Sequence, residues 1–279
     1  MFMMEVFSGM GSCPQNMNTY LQSNRELWDG WAGFHPQTDF YNMEAFKNGA
    51  SSLMEPELQA LQPVDGKSLL HLQCHFGQDT LSWARLGARA TGVDFSGKAI
   101  ATARSLAESM GLAARFVQSD VLVLDLKETY DIVFTSYGVL TWLPDLKRWG
   151  EVVARHLKPG GIFFIAEFHP GLMMFDFDTG KYVCSYFGSA EPSYAEEVVG
   201  SYANPQEGTT RMEYTWSYSI SEVINALMSQ GLELKAFEEY PASPFDCFPN
   251  MRPRPDGWFE CEPLVGAPHL FTLLMQKPE

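Results

Sequence analysis

The residues with the clearest chemical potential are Gly77 and Asp94, both within Lys67–Asp94, KSLLHLQCHFGQDTLSWARLGARATGVD. A glycine that leads into a helix, followed seventeen residues later by a carboxylate ending a second strand, suits an adenosine cofactor. In such folds the turn lets the backbone approach the ligand and the acid accepts the ribose hydroxyls. Here the turn is poor in glycine, because side chains stand at Gln73 and His75. Asp120 and the run Glu167-Phe168-His169 also fall where further strands are expected to end.

The surrounding pattern supplies elements to position these groups. Ser68–Leu72 is short and apolar and runs directly into a helical pattern, as a strand buried on both faces would. Leu81, Trp83, Ala84 and Leu86 give the helix Thr80–Leu86, stopped by Gly87, and Ala90–Asp94 is the second strand. Ser96 caps a helix through Met110, followed by strands at Ala114–Gln118 and Tyr130–Thr135. Pro144 is expected to open a helix that Lys158-Pro159-Gly160-Gly161 breaks, turning the chain into a fifth strand at Ile162–Ala166. Strands alternating with helices give an α/β fold with a parallel sheet covered on both faces and a cleft at the carboxyl ends of its strands.

Residues 171–217, rich in aromatics, glycine and acid, interrupt this rhythm and suggest strands or a loop inserted over the cleft. Ser219 and Glu222 form a capping box for a helix ending at Gly231, and Leu232–Tyr240 and His269–Gln276 complete seven strands.

The 279 residues are 46% hydrophobic and 19% charged, enough for one large domain or one domain with a lid. A net charge of −15 disfavours a nucleic-acid partner and leaves small molecules as the expected ligands. Five cysteines without CxxC spacing argue against a disulfide framework or a structural zinc and suit a reducing cytoplasm; no metal is expected. No apolar run approaches the roughly 18 residues of a membrane span. The opening residues carry little pattern, and translation is expected to start at Met17.

The seven-strand order, LKPGG at Leu157–Gly161 and GVDFS at the end of the second strand resemble the class I S-adenosylmethionine (SAM)-dependent methyltransferases. The resemblance is clear over about 66–170 and looser over 219–277. It implies a doubly wound seven-stranded, mostly parallel sheet with the last strand antiparallel. It divides the chain into an N-terminal segment and helical lid (1–65), a SAM-binding domain (66–170 with 218–279) and an inserted lid on the acceptor side (171–217). The family's acid-x-Gly-x-Gly-x-Gly turn aligns with His71, Gln73, His75 and Gly77, so Gln73 and His75 must point away or take over glycine contacts with side chains.

By the same alignment Asp94 binds the ribose hydroxyls, Phe95 packs on the adenine, Asp120 accepts the adenine amino group with Val121 beside the ring, and Ser136 and Tyr137 border the reacting methyl. Cys74, Asp79 and Thr80, around the first turn, and Tyr41, from the N-terminal segment, complete the expected cofactor set. Transfer from a sulfonium needs chiefly positioning and exclusion of water. A base, where the acceptor must lose a proton, is expected at His169 or Glu167, with Tyr137 nearby. Trp28 and Trp31 could also face the ligand, and one of Arg211, Arg252 and Arg254 could hold an acceptor carboxylate. The expected function is methyl transfer to oxygen or nitrogen of a small molecule, by a monomer or homodimer. A SAM-binding protein without turnover and an NAD-dependent oxidoreductase are the alternatives.

Overall fold

The computed structural model describes residues 15–189 and 191–279; the residues before Met17 that bear on the expected start lie outside the described residues, apart from Gln15 and Asn16. The chain opens with α1 (Gln15–Ala32), α2 (Met43–Lys47) and α3 (Glu55–Leu61). The alternating unit follows: β1 (Ser68–Leu72), α4 (Gln78–Arg85), β2 (Arg89–Asp94), α5 (Gly97–Met110), β3 (Ala114–Gln118), β4 (Tyr130–Ser136), α6 (Leu146–His156) and β5 (Leu157–Phe168). A hairpin of β6 (Tyr194–Val198) and β7 (Arg211–Thr215) precedes α7 (Ile220–Met228) and β8 (Glu233–Tyr240). A second small hairpin, β9 (Met251–Pro253) and β10 (Phe259–Cys261), leads to β11 (Leu270–Gln276).

The seven-stranded sheet has the order β3-β2-β1-β4-β5-β11-β8. Strands β1 to β5 are parallel neighbours, and β11 runs antiparallel to both β5 and β8. The order reverses between β1 and β4, and this switch point is where an open sheet leaves a crevice. Side-chain alternation divides each strand between two cores. Leu70, Leu72, Val133, Phe163 and Ile165 pack with Trp149, Val152 and Val153 of α6, whereas Leu69, Ile132, Phe134 and Phe164 pack with Leu61 and Trp83. Full burial of each such side chain is worth roughly 1.5–3 kcal/mol, so both sheet faces are strongly fixed.

Three boundaries differ from expectation. Helix α4 starts at Gln78, directly after left-handed Gly77, which lets the helix N-terminus abut the first turn. Asp145 begins α6 in place of Pro144, since its Oδ1 accepts the Arg148 N–H at 2.9 Å. LKPGG is a bulge within β5: Tyr130 pairs with Leu157 and Ile132 with Ile162, with Gly160 at φ 73°. The expected box at α7 forms, as the Ser219 N–H donates to Glu222 Oε2 at 2.8 Å and the Glu222 N–H to Ser219 Oγ at 3.3 Å.

Helix α1 ties the inserted hairpin to the sheet. Asn24 Nδ2 donates to the Tyr214 carbonyl at 2.7 Å and Asn24 Oδ1 accepts the Tyr214 N–H at 3.0 Å, so an amide side chain acts as a strand partner along β7. Five residues on, Asp29 Oδ1 accepts from Ser96 Oγ at 2.5 Å and from the Lys98 N–H at 3.2 Å, at the positive end of α5.

Candidate active site

A cavity of about 1120 Å³ lies at the carboxyl ends of the parallel strands, walled by the turn after β1, the ends of β2 and β4, Trp28 and Trp31 of α1, and β6–β7. Pockets for one small ligand span roughly 300–1,000 Å³, so this one has room for a cofactor and a second molecule.

The turn after β1 carries its peculiarity in the backbone. Gln73 at φ 55° and His75 at φ 50° adopt the left-handed conformation that glycine ordinarily supplies, at a cost of roughly 1–2 kcal/mol each. Their side chains offset it. Gln73 Nε2 donates to the Val139 carbonyl at 3.0 Å, while His75 Nε2 pairs with His35 Nδ1 at 2.9 Å and His35 Nε2 with Ser201 Oγ at 2.8 Å. Burial lowers the pKa of both His35, to about 3, and His75, so the chain runs between neutral rings. Gly77 tolerates no side chain: a Cβ there would stand 2.6 Å from the Phe116 ring.

Asp94 faces the cavity with each oxygen held by one backbone donor, Oδ2 by the His75 N–H and Oδ1 by the Ser96 N–H, both at 2.8 Å. Lone pairs remain on both oxygens. Burial raises its pKa to about 6, against the pull of those donors. Phe95, Asp120 and Val121 line the same end, and among the described residues Asp120 commits only Oδ1, to the Leu122 N–H at 2.9 Å. Cys74 and Asp79 line it too; Asp79 Oδ2 accepts from Ser136 Oγ at 3.1 Å, and burial raises its pKa.

Thr80 does not reach the cavity; it is fully buried and its hydroxyl holds His71 Nδ1 at 2.9 Å. Among the described residues His71 Nε2, Gln73 Oε1 and His75 Nδ1 are buried without a partner, and all three residues line the cavity. Orphaned polar atoms at one end of a cavity fit a ligand that supplies their bonds.

The expected bases are placed differently. His169 lies off the cavity with both ring nitrogens engaged: Nδ1 accepts the Gly171 N–H at 3.0 Å and Nε2 meets Glu239 Oε1 at 2.9 Å. Glu167 lines the cavity but accepts four backbone N–H groups, from Gly138, Val139, Leu140 and Phe168, at 2.5–3.0 Å. Burial raises its pKa and the four donors oppose that rise, so this carboxylate anchors the loop after β4 and is not a free base.

Tyr137, at φ 44° on that loop, donates its hydroxyl to Glu57 Oε2 at 2.7 Å. Glu57 is fully buried on α3, and burial lifts its pKa to about 8. Sequence reading missed Glu57, which sits in an amphipathic helix 80 residues before its partner. Tyr41 lines the cavity and its hydroxyl meets that of Tyr202. Arg211, Arg252 and Arg254 lie off the cavity wall and pair with Glu26, Glu260 and Asp256, so none is available for an acceptor carboxylate.

Residues 69–161 match the family model described as a methyltransferase domain. The chain carries a class I SAM-dependent methyltransferase domain. A ubiquinone biosynthesis O-methyltransferase of Paramagnetospirillum magneticum is 28% identical over 153 residues, 54% of this chain and 61% of that protein. A demethylmenaquinone methyltransferase of Thermus thermophilus is 36% identical over 85 residues, 30% of this chain and 38% of that one. The chain thus spans less than two thirds of the length of these curated relatives. In fold it matches a SAM-dependent methyltransferase from Mesorhizobium loti, with a TM-score of 0.55 and 21% identity over 83% of this chain and all of that one. The seven-stranded, mostly parallel sheet with β11 antiparallel is the fold that the sequence resemblance implies.

Proposed function

We propose that this methyltransferase domain binds SAM at the Asp94 end of the cavity and transfers its methyl group to a small molecule held between the end of β4 and the β6–β7 hairpin. The observation that carries the reading is Asp94: a carboxylate fixed by two backbone donors, facing the cavity from the end of β2, with lone pairs left for two hydroxyls. Bound SAM supplies an activated methyl on a sulfonium centre. Asp94 would hold the ribose, Phe95 and Val121 would flank the adenine, and the uncommitted oxygen of Asp120 would take its amino group. Gln73 Oε1 and Asp79 are acceptors suited to the ammonium of the methionine part.

The groups that cover the cavity, Trp28, Trp31, Tyr41 and Tyr202, exclude water, which strengthens every polar contact inside. Where the acceptor must lose a proton, Tyr137 Oη takes it as its own proton passes to Glu57 Oε2. The same reading makes the protein a cytoplasmic monomer or homodimer with no nucleic-acid partner; free thiols at Cys74, Cys184, Cys247 and Cys261 support a reducing compartment. Among the described residues no helix is long and apolar enough to cross a membrane. Asp94→Ala should weaken SAM binding by more than about 1.5 kcal/mol, the worth of a hydrogen bond to a charged group, as measured by calorimetry. Unchanged affinity would remove Asp94 from the cofactor site and the reading with it.

A further inference from the structure

In the β6–β7 hairpin Glu196 stands directly opposite Glu213, so both carboxylates project from one face. Tyr194, Glu196 and Val198 of β6 and Glu213 and Thr215 of β7 all line the cavity, which identifies that face as part of its wall. Like charges in facing positions destabilise a hairpin unless something lies between them. Among the described residues neither glutamate has a hydrogen-bond donor or a cation, and Arg211, two positions before Glu213, pairs with Glu26 at 3.2 Å. Burial, reinforced by Glu196, raises the Glu213 pKa to about 7. Trp216 follows β7 into the wall, 2% exposed and with its indole Nε1 unpartnered among the described residues.

The rest of the cavity has the same bias. Its described lining includes Asp79, Asp94, Asp120, Glu167, Asp176, Glu196 and Glu213, but no lysine or arginine. Asp79, Asp94 and Asp120 have roles toward the cofactor, Glu167 is bound by four backbone N–H groups, and Asp176 accepts the Thr179 N–H and hydroxyl at 2.8 and 2.6 Å. Glu196 and Glu213 are left without a role, on a wall shared with Tyr194, Trp216 and Tyr218. Paired carboxylates beside aromatic faces suit an organic cation and repel an organic anion.

We propose that the acceptor carries an ammonium group on an aromatic or apolar body, with that positive charge placed between Glu196 and Glu213 as a recognition group and the methylated atom elsewhere on the molecule. The Trp216 N–H would pair with an oxygen elsewhere on the same molecule. Carboxylate- or phosphate-bearing compounds are turned away, because the wall offers them no cation. The proposal rests on the methyl-transfer reading, in which this wall belongs to the acceptor.

The test first measures binding of S-adenosylhomocysteine to the wild-type protein, which probes the cofactor reading alone. With that ligand bound, phenethylammonium and phenylacetate, aromatic probes of opposite charge, are titrated by calorimetry. The ammonium should bind at least about tenfold more tightly, the size of one charge-assisted contact. The Glu196→Gln/Glu213→Gln variant should erase that preference while keeping S-adenosylhomocysteine affinity. Its melting temperature should equal or exceed that of the wild type, since like-charge repulsion is removed, so misfolding does not confuse the result. Equal binding, preference for phenylacetate, no binding of the ammonium or a preference that survives in the double variant overturns the proposal. Failure of S-adenosylhomocysteine to bind in the first titration marks instead the collapse of the cofactor reading.

Discussion

The two sides of the cavity are built on opposite plans. At the side proposed for the cofactor one continuous stretch, β1–turn–α4–β2, supplies the turn, the helix N-terminus and Asp94, and its backbone sets the geometry. On the side proposed for the acceptor, side chains of α1, the loop before α2 and the β6–β7 region are held together by contacts such as Asn24 to Tyr214 and His35 to Ser201. Local chain constraint makes the first side rigid by construction. The second exists only once distant segments have met, so its order depends on a few polar bonds and on whatever fills the cavity.

Substitutions on each side should therefore differ in reach. The largest effect is expected from Gly77→Ala: a left-handed alanine with its Cβ against Phe116 should cost roughly 2–4 kcal/mol of global stability, combining backbone strain with overpacking. Urea unfolding measures it, and a loss below 1 kcal/mol would show that the first turn yields more easily than its packing indicates.

Asn24→Ala should act locally. It strips two bonds from Tyr214, leaving a strand N–H and carbonyl short of partners at about 1–3 kcal/mol. Hydrogen exchange should accelerate over 194–215 and stay unchanged over β1–β5. Equal acceleration in both regions would mean that the two sides form one cooperative unit.

The smallest effect is a pH trend that reports on both sides. Glu57, Glu213 and Asp94 have folded-state pKa values raised by burial to about 8, 7 and 6. Their contribution is full below the unfolded carboxyl values and is lost as pH rises through those folded values. His35 and His71, with pKa values lowered to about 3, act in the opposite sense and cease to matter once pH exceeds the unfolded histidine value. Between pH 7 and 9 the melting temperature should therefore fall, chiefly through Glu57. Glu57→Gln, whose amide can donate to Tyr137, should flatten that fall, whereas Glu213→Gln should matter mainly near pH 7. A curve that is flat, or steeper in Glu57→Gln, would contradict the assignment of charge.

The alternating strands and helices, the capping box at Ser219 and the places of Asp94 and Asp120 at strand ends on the cavity were legible because each rests on local periodicity or on spacing along the chain. Gln73 and His75 were legible as an anomaly, but the partners their side chains take within the protein, the Val139 carbonyl and His35, were not. His169 and Glu167 were misread because a strand end shows where a residue emerges but not what occupies its polar atoms: one is absorbed by Gly171 and Glu239, the other by four backbone donors. Glu57, His35 and the facing glutamates of the hairpin gave no signal, since each takes its meaning from a partner far away in sequence or across a strand pair of unpredictable register.

The sequence by itself determined the sheet, its switch point and the strand-end residues that meet the cavity, because short-range sterics and hydrophobic periodicity dictate them. Only the tertiary structure decided which polar groups remain free at the acceptor side. Freedom there is what is left after long-range hydrogen bonds are counted, and those bonds exist only when the chain has closed on itself.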